Sequence, residues 1–326
     1  MRPILFILFI FMVFQCSSDN STSHDTGIDY REEMRSFVIE ISKFSKSQNP
    51  GFIVIPQNGH ELLSQNGEPD GMPATSYLAA IDALGQEDFF YGYEGEDIPT
   101  KVEDTKYIND FLKIGASEGK EVLITDYISI PSKVDDSIKK NSELGYLSFA
   151  AYSRGLNSIP RYPVTKRNEN ANDITSISQA KNFLYLLDDG EFESKESILH
   201  TISQTNYDVV IMDAFYDTTT FSTADLEIIN TKKNGGERLL IAYMSIGEAG
   251  DFRYYWKDEW EPGTPTWLDD ENPNWEGNFK VKYWDSDWQK YIYGNDNSYL
   301  QRILDAGFDG VYLDIIDAFW YYENQE

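Results

Sequence analysis

Carboxylates recur at one kind of place in this chain. Glu87, Asp126, Asp213, Glu248 and Asp314 each stand at or just beyond the end of a short apolar run. Asp and Asn also favour turns and helix N-caps, so one such acid says little. Five ends of the same kind say more, because acids carried by parallel strands converge on one mouth. Two carboxyl groups flanking a bond can divide the work of proton transfer and nucleophilic attack, and glycosidic bonds are the commonest target. Asn58, Asp88, Tyr216, Arg253, Trp256 and Asp317 lie at or near the ends of such runs and join the five acids as candidate site residues.

Other chemistries are disfavoured. The three histidines, His24, His60 and His200, are far apart, and the single cysteine, Cys16, is near none of them. A zinc site of the usual His/Cys type is not expected. No G-x-S-x-G elbow and no glycine-rich phosphate loop follows any apolar run. Neither a metal nor a cofactor is expected.

Positioning such acids needs a frame. The apolar runs are Phe52 to Ile55, Ile81 to Leu84, Val122 to Ile124, Tyr146 to Ala151, Phe183 to Leu187, Val209 to Met212, Leu239 to Met244 and Val311 to Leu313. They do not alternate, as expected of strands buried on both faces. Most are separated by about thirty residues, the size of a βα unit. Eight units predict a TIM (β/α)8 barrel, with a doubly wound open sheet as the alternative. Met34, Phe37, Val38, Ile41 and Phe44 form one stripe of a helix that precedes the first run. The segment between Glu248 and Val311 is longer than the rest and holds six of the seven tryptophans: Trp256, Trp260, Trp267, Trp275, Trp284 and Trp288. Aromatic faces stack on sugar rings, so two or three of these rings are expected to meet a ligand, the others packing the lid itself.

The balance of 55 acids against 27 bases leaves a net charge of −28, which repels nucleic acid and anionic lipid and attracts cations. The first residues carry one arginine, an apolar run from Ile4 to Phe14, and then Gln15-Cys16. The run is too short to span a bilayer and fits a secretory signal. Cys16 stands where a lipoprotein signal is cleaved, so lipidation there and an exported, membrane-anchored location are expected; a plain secretory signal is the alternative. The expected layout is a signal over residues 1–16, a flexible tether over 17–29 and one catalytic domain over 30–326.

The stretches "FIVIPQNG", "IDALGQEDFFYG", "LLIAYMSIGEAGDFRYYW" and "AGFDGVYLDIIDAF" resemble glycoside hydrolase family 114 over about residues 31–326. That family includes endo-α-1,4-polygalactosaminidases. The order of the segments differs: here the half resembling the family's strands five to eight precedes that resembling strands one to four. The resemblance therefore implies a circularly permuted barrel, with residues 155–181 as the linker between ancestral ends. It implies a retaining endo-glycosidase acting on an amino-sugar polymer, with Asp314 as nucleophile, Glu87 as acid/base, and Asp213 and Glu248 lining the substrate site; a monomer is expected. Phe89, Phe90 and Tyr91 beside Glu87 suit a proton donor. Alternatives are a glycosidase on a neutral glycan and a surface lipoprotein that binds glycan without cleaving it.

Overall fold

A computed structural model describes residues 27–163, 168–187 and 192–325. Cys16 and most of the expected tether lie outside the described residues.

Among the described residues, eight parallel strands carry the fold: β1 (Ile53–Pro56), β2 (Ala83–Glu87), β3 (Glu121–Tyr127), β4 (Leu147–Ala151), β5 (Phe183–Leu186), β6 (Val209–Asp213), β7 (Leu239–Ser245) and β8 (Gly310–Asp314). Each expected apolar run contributes one. They form a five-stranded sheet in the order β1-β8-β7-β6-β5 and a three-stranded sheet in the order β2-β3-β4. A parallel bridge between Gln57 and Gly85 joins the sheets at β1 and β2. The architecture is α/β with parallel sheets.

The expected neighbours β8 and β1 pair in parallel, Ile53 opposite Gly310 and Pro56 opposite Leu313. Among the described residues, no ladder joins β4 to β5, although a closed barrel would require one. Phe149 and Phe183 meet there instead, ring centres 5.6 Å apart. A cavity of about 220 Å³ lies at this seam, lined in part by Tyr146, Tyr162 and those two rings. Bulky side chains between the strands take the place of backbone pairing.

The helix Tyr30–Gln48 starts where the Asp29 side chain accepts from the Glu32 N–H. This satisfies one of the free donors of the first turn, and Glu32 and Glu33 suit its positive end. Met34, Phe37, Val38 and Ile41 are buried, as their spacing predicts. The helix packs on the C-terminal helix Phe319–Glu323. Arg31 holds the Glu323 carboxylate with two N–H donors at 2.9 and 3.0 Å and lies over the Phe319 and Trp320 rings.

The described residues of the segment expected as the linker are docked on the body of the fold. Ile174 and Ile177 are buried, and Asn170 donates to both carboxylate oxygens of Asp208. Lys232 donates to Asp208 at 2.8 Å and to the Asn172 carbonyl at 2.7 Å, with Lys232 and Asp208 both fully buried. Gly236 is required here: a Cβ on it would lie 2.4 Å from the Asn172 carbonyl oxygen.

Candidate active site

A cavity of about 680 Å³ opens at the carboxyl ends of the strands, and Glu87, Asp213, Glu248, Arg253 and Asp314 all line it. Asp314 ends β8, where three fully buried residues, Val311, Tyr312 and Leu313, fix the strand beneath it. Its Oδ2 accepts from the Tyr243 hydroxyl at 2.7 Å and its Oδ1 from the Ile315 N–H at 2.8 Å. Burial, and secondly the Glu87 carboxylate, push its pKa up to about 8, against the pull of those two donors. Like charges so close disfavour a second ionisation. Burial thus favours the protonated form of Asp314.

Glu87 ends β2. Its Oε1 accepts from the Tyr127 hydroxyl, and its Oε2 accepts from the Asn58 amide at 3.1 Å. Tyr127 comes from β3, and its phenol is held well above its ordinary range by burial and by the Glu87 charge. The phenol therefore stays a donor to the carboxylate.

Asp213 ends β6 and is gripped by Arg253 through two N–H donors, at 2.9 and 2.7 Å. Arg253 is itself stacked near Phe215, Phe252 and Tyr299. Glu248 opens a small antiparallel sheet made of Glu248–Gly250, Leu268–Glu271 and Asn278–Val281. Its carboxyl is buried and accepts from Asn272 at 2.8 Å; burial raises its pKa.

Other candidates serve differently or stand elsewhere. Asn58 reaches Glu87 rather than the cavity. Asp88 is held by Arg154 at 2.7 and 2.8 Å, and burial raises it to about 6 although Arg154 pulls the other way. Asp126 is fully buried, pointing outward from the strand. It accepts from the Phe90 and Tyr91 N–H groups and from Ser137 and Asn141, so it ties β3 to its neighbours and does not line the cavity. Asp317 sits a turn beyond Asp314, outside the cavity lining, and burial raises it to about 6. Tyr216 belongs to a short hairpin with Thr219–Thr220 and does not line the cavity. Trp256 packs on Trp260 and Phe279, ring centres 5.3 and 4.9 Å away, and is likewise absent from the wall.

The tryptophan-rich segment is mainly a lid packed on itself, with Trp267 and Trp288 buried. Trp275, half exposed, is the tryptophan that lines the cavity. The other aromatic walls are Tyr127, Tyr185, Tyr243, Tyr255, Tyr299, Phe215 and Phe252, and Arg154 adds a cation over the Tyr127 ring. Tyr185 and Tyr243 were missed because they lie inside apolar runs, where a ring reads as core; Tyr127, Tyr255 and Tyr299 lie outside those runs, with no local pattern that marks them as cavity walls. Among the described residues no group of three His, Cys, Asp or Glu is placed to hold a metal ion, and no helix is long and apolar enough to cross a membrane.

The family model for glycoside-hydrolase family GH114 matches residues 164–326, half of the chain. The match includes Asp213, Glu248, Arg253 and Asp314; Glu87 and Asn58 precede it. An uncharacterized protein of Methanocaldococcus jannaschii is 40% identical over 153 residues, 47% of this chain and 42% of that protein. Uncharacterized proteins of Thermotoga maritima and Deinococcus radiodurans are each 38% identical, over 124 and 128 residues, covering 38% and 39% of this chain and 37% and 39% of their own lengths. The chain spans about two fifths of the length of these relatives.

Proposed function

Because the chain belongs to glycoside-hydrolase family GH114, we propose that it is a retaining endo-glycosidase acting on an amino-sugar polysaccharide. One observation carries this reading: Glu87 and Asp314, from different strands, line one cavity, where the Glu87 charge helps to raise the pKa of Asp314. Retention needs two carboxyls roughly 5–5.5 Å apart, one as nucleophile and one as acid/base. We assign attack to Asp314, which a rigid strand end and two donors hold in place, and proton transfer to Glu87.

The resting site favours a proton on Asp314, so attack requires its removal. A substrate ammonium nearby favours the ionised carboxyl, and the proton passes to Glu87, which donates it to the leaving-group oxygen. The surplus of acids over bases in the chain and the buried carboxyl of Glu248 in the wall suit such a substrate. Trp275 and Phe252, both half exposed, supply stacking faces.

The frame in this reading is a single (β/α)8 barrel, permuted so that the family's strands five to eight come first. The barrel is supported by the strand order, with β8 between β7 and β1; the permutation is supported by the order of the family-like segments along the chain and by the contact of the N-terminal helix with the C-terminal one. Export and a lipid anchor at Cys16 complete the reading, supported by the apolar run from Ile4 to Phe14. Cys16→Ser should then move the protein from the membrane to the soluble fraction.

The test is incubation with partly deacetylated galactosamine polymers and neutral α-glycans, measuring reducing ends released and following the first-formed anomer by proton NMR. Release from the amino polymer with retained configuration is expected. An inverted first product would overturn the retaining assignment, and cleavage confined to neutral glycans would overturn the substrate class.

A further inference from the structure

We infer that Asn58 is a positioning residue that sets the Glu87 carboxylate in its working orientation and spaces it from Asp314; this rests on the proposed catalytic role of Glu87.

The inference begins with where β1 ends. The stretch "PQNG" leaves the strand between β8 on one side and β2 on the other. Gln57 donates its N–H to the Leu313 carbonyl at 2.8 Å, and Asn58 donates its N–H to the Gly85 carbonyl at 2.9 Å. Two consecutive residues thus fasten the two strands that end in Asp314 and Glu87. Gln57 is also held from the interior, where its Oε1 accepts from the Tyr185 hydroxyl at 2.8 Å. The backbone at this point is a spacer with a fixed length.

The side chain of Asn58 then acts on Glu87 itself. Its Oδ1 accepts from the Glu87 N–H at 3.0 Å and from Gln86 Nε2 at 3.2 Å. Those two donors settle which end of the amide is oxygen. The Nδ2 end must therefore face Glu87 Oε2, to which it donates at 3.1 Å. Tyr127 fixes the other carboxylate oxygen, so both oxygens have one directed donor. Hydrogen bonds to a charged group are among the stronger ones, and here they orient as well as stabilise.

The conformation that makes this possible is unusual. Asn58 has φ 59° and Gly59 has φ 53°, two left-handed residues in succession. Asn is among the few side chains that tolerate this region, and Gly adopts it without cost. At Gly59 the space is closed as well: a Cβ would lie 2.8 Å from Ile316 Cγ1, just beyond Asp314. Asn58 is thus the residue that satisfies both the backbone and the carboxylate. Asn58 does not line the cavity, so contact with substrate does not account for it.

Asn58→Gly keeps the left-handed backbone and removes the amide. Asn58→Asp keeps the shape and the acceptor oxygen but places an oxygen opposite Glu87 Oε2. With Asn58→Gly we expect kcat to fall roughly 10- to 100-fold, the worth of a hydrogen bond to a charged group, with KM within a factor of about three and thermal stability little changed. Asn58→Asp should lose at least as much kcat with the same KM. A purely structural role would lower stability and leave kcat of the folded fraction intact. Glu87→Gln measured alongside separates the two readings. If Glu87→Gln keeps wild-type turnover, the catalytic reading fails; if it is inert while Asn58→Gly turns over normally, only the inference about Asn58 fails. A crystal structure of Asn58→Gly gives a readout apart from activity. The Glu87 carboxylate should be displaced or split between orientations on an unmoved strand, and a single unchanged orientation overturns the inference.

Discussion

The Tyr243 hydroxyl donates to Oδ2 of Asp314 at 2.7 Å, across the two neighbouring parallel strands β7 and β8. That donor favours the ionised carboxyl, yet burial and the Glu87 charge outweigh it and leave Asp314 at about 8. A nucleophile must be ionised to attack. With Asp314 in that role, kcat/KM, which reports the free enzyme, should climb with pH up to about 8. A kcat/KM that instead falls through the same point would make Asp314 the proton donor and exchange the two roles. Initial rates between pH 5 and 9 decide it.

The same shift bears on stability. The folded chain keeps a proton on Asp314 that the unfolded chain releases above about pH 4. Its contribution is fully present below that pH and is lost as pH rises towards 8, because the unfolded state then binds fewer protons. Asp314→Asn carries no such charge. It should be more stable than wild type at pH 8 by about 1–2 kcal/mol and close to it at pH 4, measured by urea unfolding. Equal differences at the two pH values would contradict the buried-proton account.

Asp213 and Arg253 form the charge pair of the opposite wall, with 18% and 9% of their side chains exposed. Removing the cation alone strands a carboxylate in a poor solvent. Arg253→Met should therefore cost about 3 kcal/mol of folding stability, while the double change with Asp213→Asn should recover part of it. A single variant as stable as wild type would show that water reaches Asp213 freely.

Glu248 contacts substrate in the proposed reading and takes no part in bond cleavage. Glu248→Gln should raise KM about tenfold on an amino polymer and leave measurable turnover. Loss of kcat as deep as in Glu87→Gln would give Glu248 a place in the chemistry.

Trp275 and Trp288 separate lid from wall. Trp275 is half exposed on the cavity, and Trp288 is fully buried with its indole N–H donated to the Ile246 carbonyl at 2.9 Å. Trp275→Ala should weaken substrate binding by about 0.5–1.5 kcal/mol with no loss of stability, the value of a stacked ring rather than a core one. Trp288→Ala should cost about 3–5 kcal/mol of stability. Reversed effects would place the binding face on the other side of the lid.

The sequence made the strands legible because each is a short, unbroken apolar run that ends in a polar residue. It also placed Glu87, Asp213, Glu248 and Asp314 at strand ends, and the structure brings them to one cavity. Asp126 reads identically in the sequence but faces outward, because its strand runs one residue further, to Tyr127, and alternation turns its side chain towards Ser137 and Asn141. The lid misled in another way. Tryptophans spaced for ring-on-ring contact and tryptophans spaced for sugar stacking look the same until their neighbours are known. Arg154 and the cavity tyrosines depend on partners distant in sequence, Asp88, Glu87 and Asp314, which no local pattern reveals.

The position of β8 also bears on how the molecule comes into being. The strand is hydrogen-bonded to both β7 and β1, yet it is the last of the eight along the chain. During synthesis β1 and β7 must wait, each with an unpaired edge, until the segment ending in Asp314 arrives to sit between them. Unpaired edges invite pairing with other chains. Contacts between such distant segments also form slowly. A nascent chain interrupted before Gly310 would therefore lack both an active centre and a protected sheet. Synthesis, not only equilibrium stability, sets how much sound protein a cell obtains from it.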